Sequence, residues 1–225
     1  MAGTTIRRTA VIGWRFLAIG TGLSLFLSLV LLAAGKTAAT FLTTFPLELP
    51  FFATLGSMGG LMTFTSDRTK GVFEYLIAYG LRPRTLFADG LLATASMSAI
   101  ILGLSLTVGL GAAVSRGVAF TVDFWQTIAF YTVPMSFAGG LFISTVGMIW
   151  SSVSTPRTGI NSPIGIAPML GIAPSLLVFI VAEAAPKMYF YYITSGAAVA
   201  IIVAVVGLLG LSARLMGRER FLSPL

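Results

Sequence analysis

Few residues in this chain can do chemistry, and six of them crowd into one stretch. Positions 66–87, SDRTKGVFEYLIAYGLRPRTLF, carry Asp67, Arg68, Lys70, Glu74, Arg82 and Arg84. The whole chain holds 14 Lys and Arg, 7 Asp and Glu, and neither His nor Cys. Imidazole metal sites, thiolate sites and disulfides are thereby excluded. Of the remaining carboxylates, Glu48, Asp123 and Glu183 fall in expected loops without paired spacing. General acid–base catalysis needs convergent titratable groups, and no such set is visible. Gly35-Lys36-Thr37 imitates the end of a phosphate-binding loop, but Val30 stands where that loop requires its first glycine. The expectation is a non-enzyme that holds no cofactor of its own.

The elements that must position the charged stretch follow from composition. The 225 residues are 56% hydrophobic and 9% charged, with a mean hydropathy of +0.97, where a soluble domain is about 25% charged. A helix needs roughly 20 apolar residues to cross a hydrocarbon core of about 30 Å. The intervals between charges predict six spans, at 16–35, 48–66, 88–114, 125–151, 161–182 and 190–213, behind an interfacial amphipathic segment at 1–15. Barrel strands would alternate in polarity, and nothing here does. The expected fold is an all-α integral membrane protein with one transmembrane domain over 1–225. Arg7 and Arg8 before the first run resemble a secretory signal, but a run of about 20 residues exceeds the 7 to 15 of a signal core and reads as a span.

Short-loop Lys and Arg favour the cytoplasmic side. With the N-terminus inside, eleven fall there: Arg7, Arg8, Arg15, Arg68, Lys70, Arg82, Arg84, Arg157, Arg214, Arg218 and Arg220. Only Lys36, Arg116 and Lys187 fall on the other side, so both termini are expected to be cytoplasmic in a multi-pass arrangement. The net charge of +7 then reflects topology and anionic lipid headgroups, with no nucleic acid partner. Ion-coupled carriers keep ionisable groups inside the membrane. Asp89, the one candidate, lies near the interface, within reach of Arg84 or headgroups.

Inside the charged stretch, Val72, Phe73, Leu76 and Ile77 recur at i, i+3, i+4, with Lys70 and Glu74 on the other side. This predicts a short amphipathic helix over 69–80 at the cytoplasmic interface, apolar face toward protein or lipid. Gly80 can end it, and Pro83 can redirect the chain into span three.

The run Arg68-x-Lys70-Gly71-x-x-Glu74-x-Leu76-Ile77-Ala78, followed by Arg82-x-Arg84 and Leu86, resembles the ABC-2 type permease family, whose six-span chains carry a similar segment after the second span. Asp89 departs from the Lys often found there. The resemblance implies the membrane subunit of an ATP-driven exporter in a prokaryotic plasma membrane. Two permease chains, identical or homologous, would enclose the route, and two copies of a separate ATPase subunit would bind ATP and Mg. The 69–80 helix would then be a coupling helix seated in an ATPase cleft. Phe73, Leu76 and Ile77 would anchor it, while Glu74, Arg68, Lys70, Arg82 and Arg84 fix its orientation around Gly71. Thr4 to Arg15 would join the same contact.

In that family spans two and five flank the route, which makes Phe51, Phe52, Met58, Met62, Pro168, Gly171 and Pro174 its candidate lining. Gly56 and Gly60 have the small-xxx-small spacing of close helix packing, within one chain or between two. Pro163, Pro168 and Pro174 interrupt span five, and Pro134 with Gly139 and Gly140 marks span four more weakly. An uncharged route points to hydrophobic or amphipathic cargo. The rival reading is a non-transporting membrane scaffold that docks a cytoplasmic partner through 66–87. Charge reversal at Arg116, in the expected outer loop, should leave the assembly intact.

Overall fold

A computed structural model describes residues 2–33, 38–153, 180–181, 184 and 187–215, and these residues are helical apart from short turns. Five helical stretches are long and apolar enough to cross a bilayer: Gly13–Leu32, Ala38–Thr69, Pro83–Ser115, Val122–Ser151 and Tyr189–Leu211. The chain is a multi-pass membrane protein. The expected fifth span, 161–182, lies outside the described residues except at Ile180 and Val181.

The first helix, α1 (Ala2–Ala33), runs without a break through the boundary expected at residue 15, so the N-terminal segment and the first span are one element. Helix α2 (Ala38–Thr69) begins ten residues before the expected start of span two. The short α3 (Val72–Ala78) follows, then α4 (Pro83–Ser115). The next crossing is composite: α5 (Val122–Thr127), a π-helical segment (Ile128–Thr132) and α6 (Val133–Val153). Helix α7 (Lys187–Leu215) is the last among the described residues. At 1.5 Å per residue α2 and α4 are each about 50 Å long, well beyond a core of about 30 Å, so their ends emerge or the helices tilt.

Helix α2 is the hub, packing against α1, α4 and α6, while α7 leans mainly on α6. Small residues permit the closest approaches. A Cβ on Gly13 would lie 2.8 Å from the Gly59 Cα, and one on Gly20 would lie 3.0 Å from the Gly56 Cα. On the neighbouring face Gly60 meets Thr94 of α4. Gly56 and Gly60 are therefore used inside the chain, the first of the two packings open to them.

Proline explains both the long α2 and the π segment. Pro50 has no N–H to offer the Pro46 carbonyl one turn earlier, a loss that normally breaks a helix in lipid unless another donor is found. Thr132 supplies it, its Oγ1 donating to the Pro46 carbonyl at 2.7 Å. The Tyr131 hydroxyl adds a 3.3 Å bond to the Leu47 carbonyl. In the same way Pro134 cannot serve the Phe130 carbonyl, and Ser195 Oγ of α7 donates to it at 2.9 Å. The π segment directly precedes Pro134 and turns Tyr131 and Thr132 toward α2. Two proline defects are thus converted into two interhelical links.

The end of the molecule opposite the charged stretch is closed by a second apolar cluster of Leu32, Phe41, Phe45, Leu49, Ala113, Phe124 and Ile128. Arg116 serves here as a cap, Nη1 donating to the Leu32 carbonyl at the C-terminal turn of α1 at 2.7 Å. Charge reversal at Arg116, expected to leave the assembly intact, would therefore also remove a bond between two helices of the chain.

Candidate functional site

The charged stretch is a compact turn–helix–turn between α2 and α4. Helix α2 ends because Gly71 takes the left-handed conformation, φ 68°, which any side chain would strain. The Gly71 N–H donates to the Arg68 carbonyl at 3.1 Å, and its own carbonyl accepts from the Tyr75 N–H at 3.2 Å. One residue thus closes α2 and opens α3. Glu74 stands in the first turn of α3 and folds back over Gly71, where a Cβ would meet its Oε2 at 2.8 Å. A carboxylate in that turn complements the partial positive charge of the helix start and attracts the nearby Arg68 guanidinium. The Lys70-Gly71-x-x-Glu74 signature therefore has a local structural cause.

The far end of α3 is equally defined. Gly80, φ 91°, donates to the Ile77 carbonyl at 3.0 Å, and the Leu81 N–H to the Leu76 carbonyl at 3.1 Å. That is the Schellman arrangement, with glycine at its left-handed position. Arg82 is extended, φ −83° and ψ 141°, as the residue before a proline must be, and Pro83 starts α4. The helix is Val72–Ala78, shorter at both ends than the 69–80 expected.

Its two faces do different work. Phe73 and Ile77 are 5% and 4% exposed and belong to a core with Leu61, Phe64, Leu86, Phe87, Ile143 and Met148. The Phe73 ring meets Phe64 edge-on at 4.7 Å, and Phe64 lies 5.3 Å from Phe87. These side chains were expected to anchor a partner. Their apolar surface is instead occupied within the chain, because the face that satisfies helix periodicity turns toward protein. Leu76 is only half-buried against the same core.

The opposite face carries Tyr75 and Tyr79, 62% and 74% exposed, with ring centroids 4.5 Å apart. The Tyr75 hydroxyl is held above its ordinary range by its interaction with the Tyr79 hydroxyl. Lys70, Arg82 and Arg84 are exposed, while Arg68, Gly71 and Glu74 are half-buried. Sequence reasoning placed the charges but gave the tyrosines no part in a partner surface, setting Tyr79 at the margin of the apolar face. Their i, i+4 spacing, out of phase with Phe73 and Ile77, was the available signal. It counted Asp67 among the charges without anticipating its burial, at 8% exposure, at the end of α2.

Of the expected route residues, only those of α2 lie among the described residues. Met58 is 2% exposed and part of the core that receives α3, so it fills the interior and lines no opening. Phe51, Phe52 and Met62 are half-buried, the two rings meeting edge-on at 5.5 Å. Pro168, Gly171 and Pro174 lie outside the described residues. Among the described residues no group of three or more carboxylates, His or Cys could hold a metal ion. No protein-family model, curated protein or solved structure matches this chain.

Proposed function

We propose that the chain is the membrane-spanning permease subunit of an ATP-driven exporter of the ABC-2 type. It works as a pair of permease chains with two copies of a separate ATPase subunit, both termini in the cytoplasm. The observation that carries this reading is the build of α3, with one face keyed into the membrane helices and the other presenting aromatics and cations. Phe73 and Ile77 sit among Phe64 of α2, Phe87 of α4, and Ile143 and Met148 of α6. A force applied to Tyr75 and Tyr79 is therefore delivered to three membrane helices at once. ATP-driven closure of two ATPases against this face would tilt α2 and α4 together, the coupling such an exporter requires.

The partner surface in this account is Tyr75, Tyr79, Lys70 and Arg82, with Phe73 and Ile77 transmitting the motion. Exposed tyrosine suits a docking surface, since it offers large area with little conformational entropy to lose, and flanking cations set orientation and encounter rate. The ATPase is expected to offer an acidic, apolar-floored cleft. Cargo is apolar or amphipathic, because the described spans offer it few charges.

A photo-crosslinking amino acid at position 79, irradiated in living cells, tests the reading. The expected adduct is with a nucleotide-binding protein, and its yield changes when ATP is depleted. Adducts with lipid alone, or with a protein that has no nucleotide site, would overturn it.

A further inference from the structure

A groove of about 670 Å³ opens at the basic end, between α4, α6 and α7. Helices α4 and α7 barely touch, each resting on α6, so they leave a cleft between them. Its walls are Leu91, Leu92 and Ala95 of α4, Leu141 of α6 and Leu209 of α7, and among the described residues Arg84 is the one charged residue that lines it. Arg84 stands in the first turn of α4, and Ala95 lies eleven residues further along the helix. At 1.5 Å per residue the groove runs about 16 Å along α4 from Arg84, close to half of a hydrocarbon core of about 30 Å.

We propose that this groove binds one phospholipid with an anionic headgroup, drawn from the leaflet at the basic end of the molecule. Its phosphate pairs with Arg84, and one acyl chain lies along Leu91, Leu92 and Leu209 down to Ala95. Three features choose this occupant. The groove is charged at one end and apolar over the depth of a single leaflet. The groove is open along one side, so an acyl chain can enter it sideways while the headgroup stays at the surface. Ala88, Ala95 and Gly210 keep side-chain bulk out of the space a chain would take. Lys70 and Arg82, exposed at the same end of the molecule, attract anionic lipid to that surface.

The proposal stands apart from the ATPase reading and is tested without any partner protein. The full chain, purified in mild detergent, is mixed with phosphatidylglycerol or phosphatidylcholine of identical acyl chains and examined by native mass spectrometry. One retained phosphatidylglycerol per chain is expected, preferred about fivefold over phosphatidylcholine, as one arginine near a headgroup implies. Arg84→Gln should abolish that preference with helicity unchanged. Ala95→Trp, which blocks the groove from its deep end, should reduce retention of both lipids and remove the thermal stabilisation that phosphatidylglycerol gives the wild type. Equal retention by wild type and both variants would mean annular lipid only and would overturn the proposal. So would a chain that dimerises through this face with loss of bound lipid.

Discussion

Phe73 and Tyr79 lie six residues apart on a helix of two turns, yet they have opposite surroundings. Phe73→Ala empties a packed site beside Phe64 and should destabilise the protein by about 3 kcal/mol or more, read as a lower unfolding midpoint in detergent. Tyr79→Ala removes an exposed ring and should change stability by no more than about 0.5 kcal/mol while lowering recovery of the partner. Loss of stability in the Tyr79 variant would mean that the exposed face is part of the fold. Arg116 makes the complementary case at the other end of the molecule. Arg116→Glu removes the donor to the Leu32 carbonyl and sets a negative charge at a helix C-terminus, which should cost about 1–2 kcal/mol. An unchanged midpoint would mean that the 2.7 Å bond contributes nothing measurable. The turn at Gly80 and Pro83 was legible, because both act on their own backbone, whereas the break at Gly71 fell inside the helix expected over 69–80. The role of Arg116 was not legible, since its acceptor lies 84 positions away in the chain.

At the scale of elements, the helices were legible from apolar runs and their boundaries were not. Span two was expected to begin at residue 48, because Glu48 is the last charge before the apolar run. The helix instead continues through Pro46 and Pro50 from Ala38. Its rescue comes from Thr132, 86 residues distant. The π segment is hidden for the same reason, as it is shaped by what Tyr131 and Thr132 reach on α2. A double-mutant cycle tests this account. Thr132→Val should destabilise by about 1 kcal/mol, the usual size of a hydrogen bond between membrane helices. In a Pro50→Ala background the new N–H at position 50 can serve the Pro46 carbonyl, and the effect of Thr132→Val should nearly vanish. Equal effects in both backgrounds would show that the hydroxyl does not replace the missing backbone donor. Helix α3 was legible as an amphipathic helix, but whether its apolar face met protein or lipid was open, and only the packing of Phe73 and Ile77 decides for protein.

For the whole molecule, the sequence pattern carries orientation through its charges, and the structure adds which ends are shared. Tyr79 and Val122 lie at opposite ends of the bundle, 74% and 72% exposed. Because the chain has no cysteine, Tyr79→Cys and Val122→Cys each create a single reactive thiol. A membrane-impermeant maleimide on intact cells should label position 122 and spare position 79 until the membrane is opened. The reverse pattern would invert the topology and remove the basis for a cytoplasmic partner. The route for cargo was the least legible feature. Met58 reads from sequence as a flexible apolar side chain facing a path, yet its rotation about α2 directs it into the chain's own core.

The most direct test of the permease account is to extract the tagged chain from its native host in mild detergent and determine the composition and stoichiometry of what accompanies it. The account predicts a soluble ATPase recovered at about one copy per permease chain, lost on combined substitution of Tyr75 and Tyr79 and retained on substitution of Val122. A well-folded chain that repeatedly emerges with no nucleotide-binding partner would contradict the account and favour a membrane scaffold docking another protein through α3.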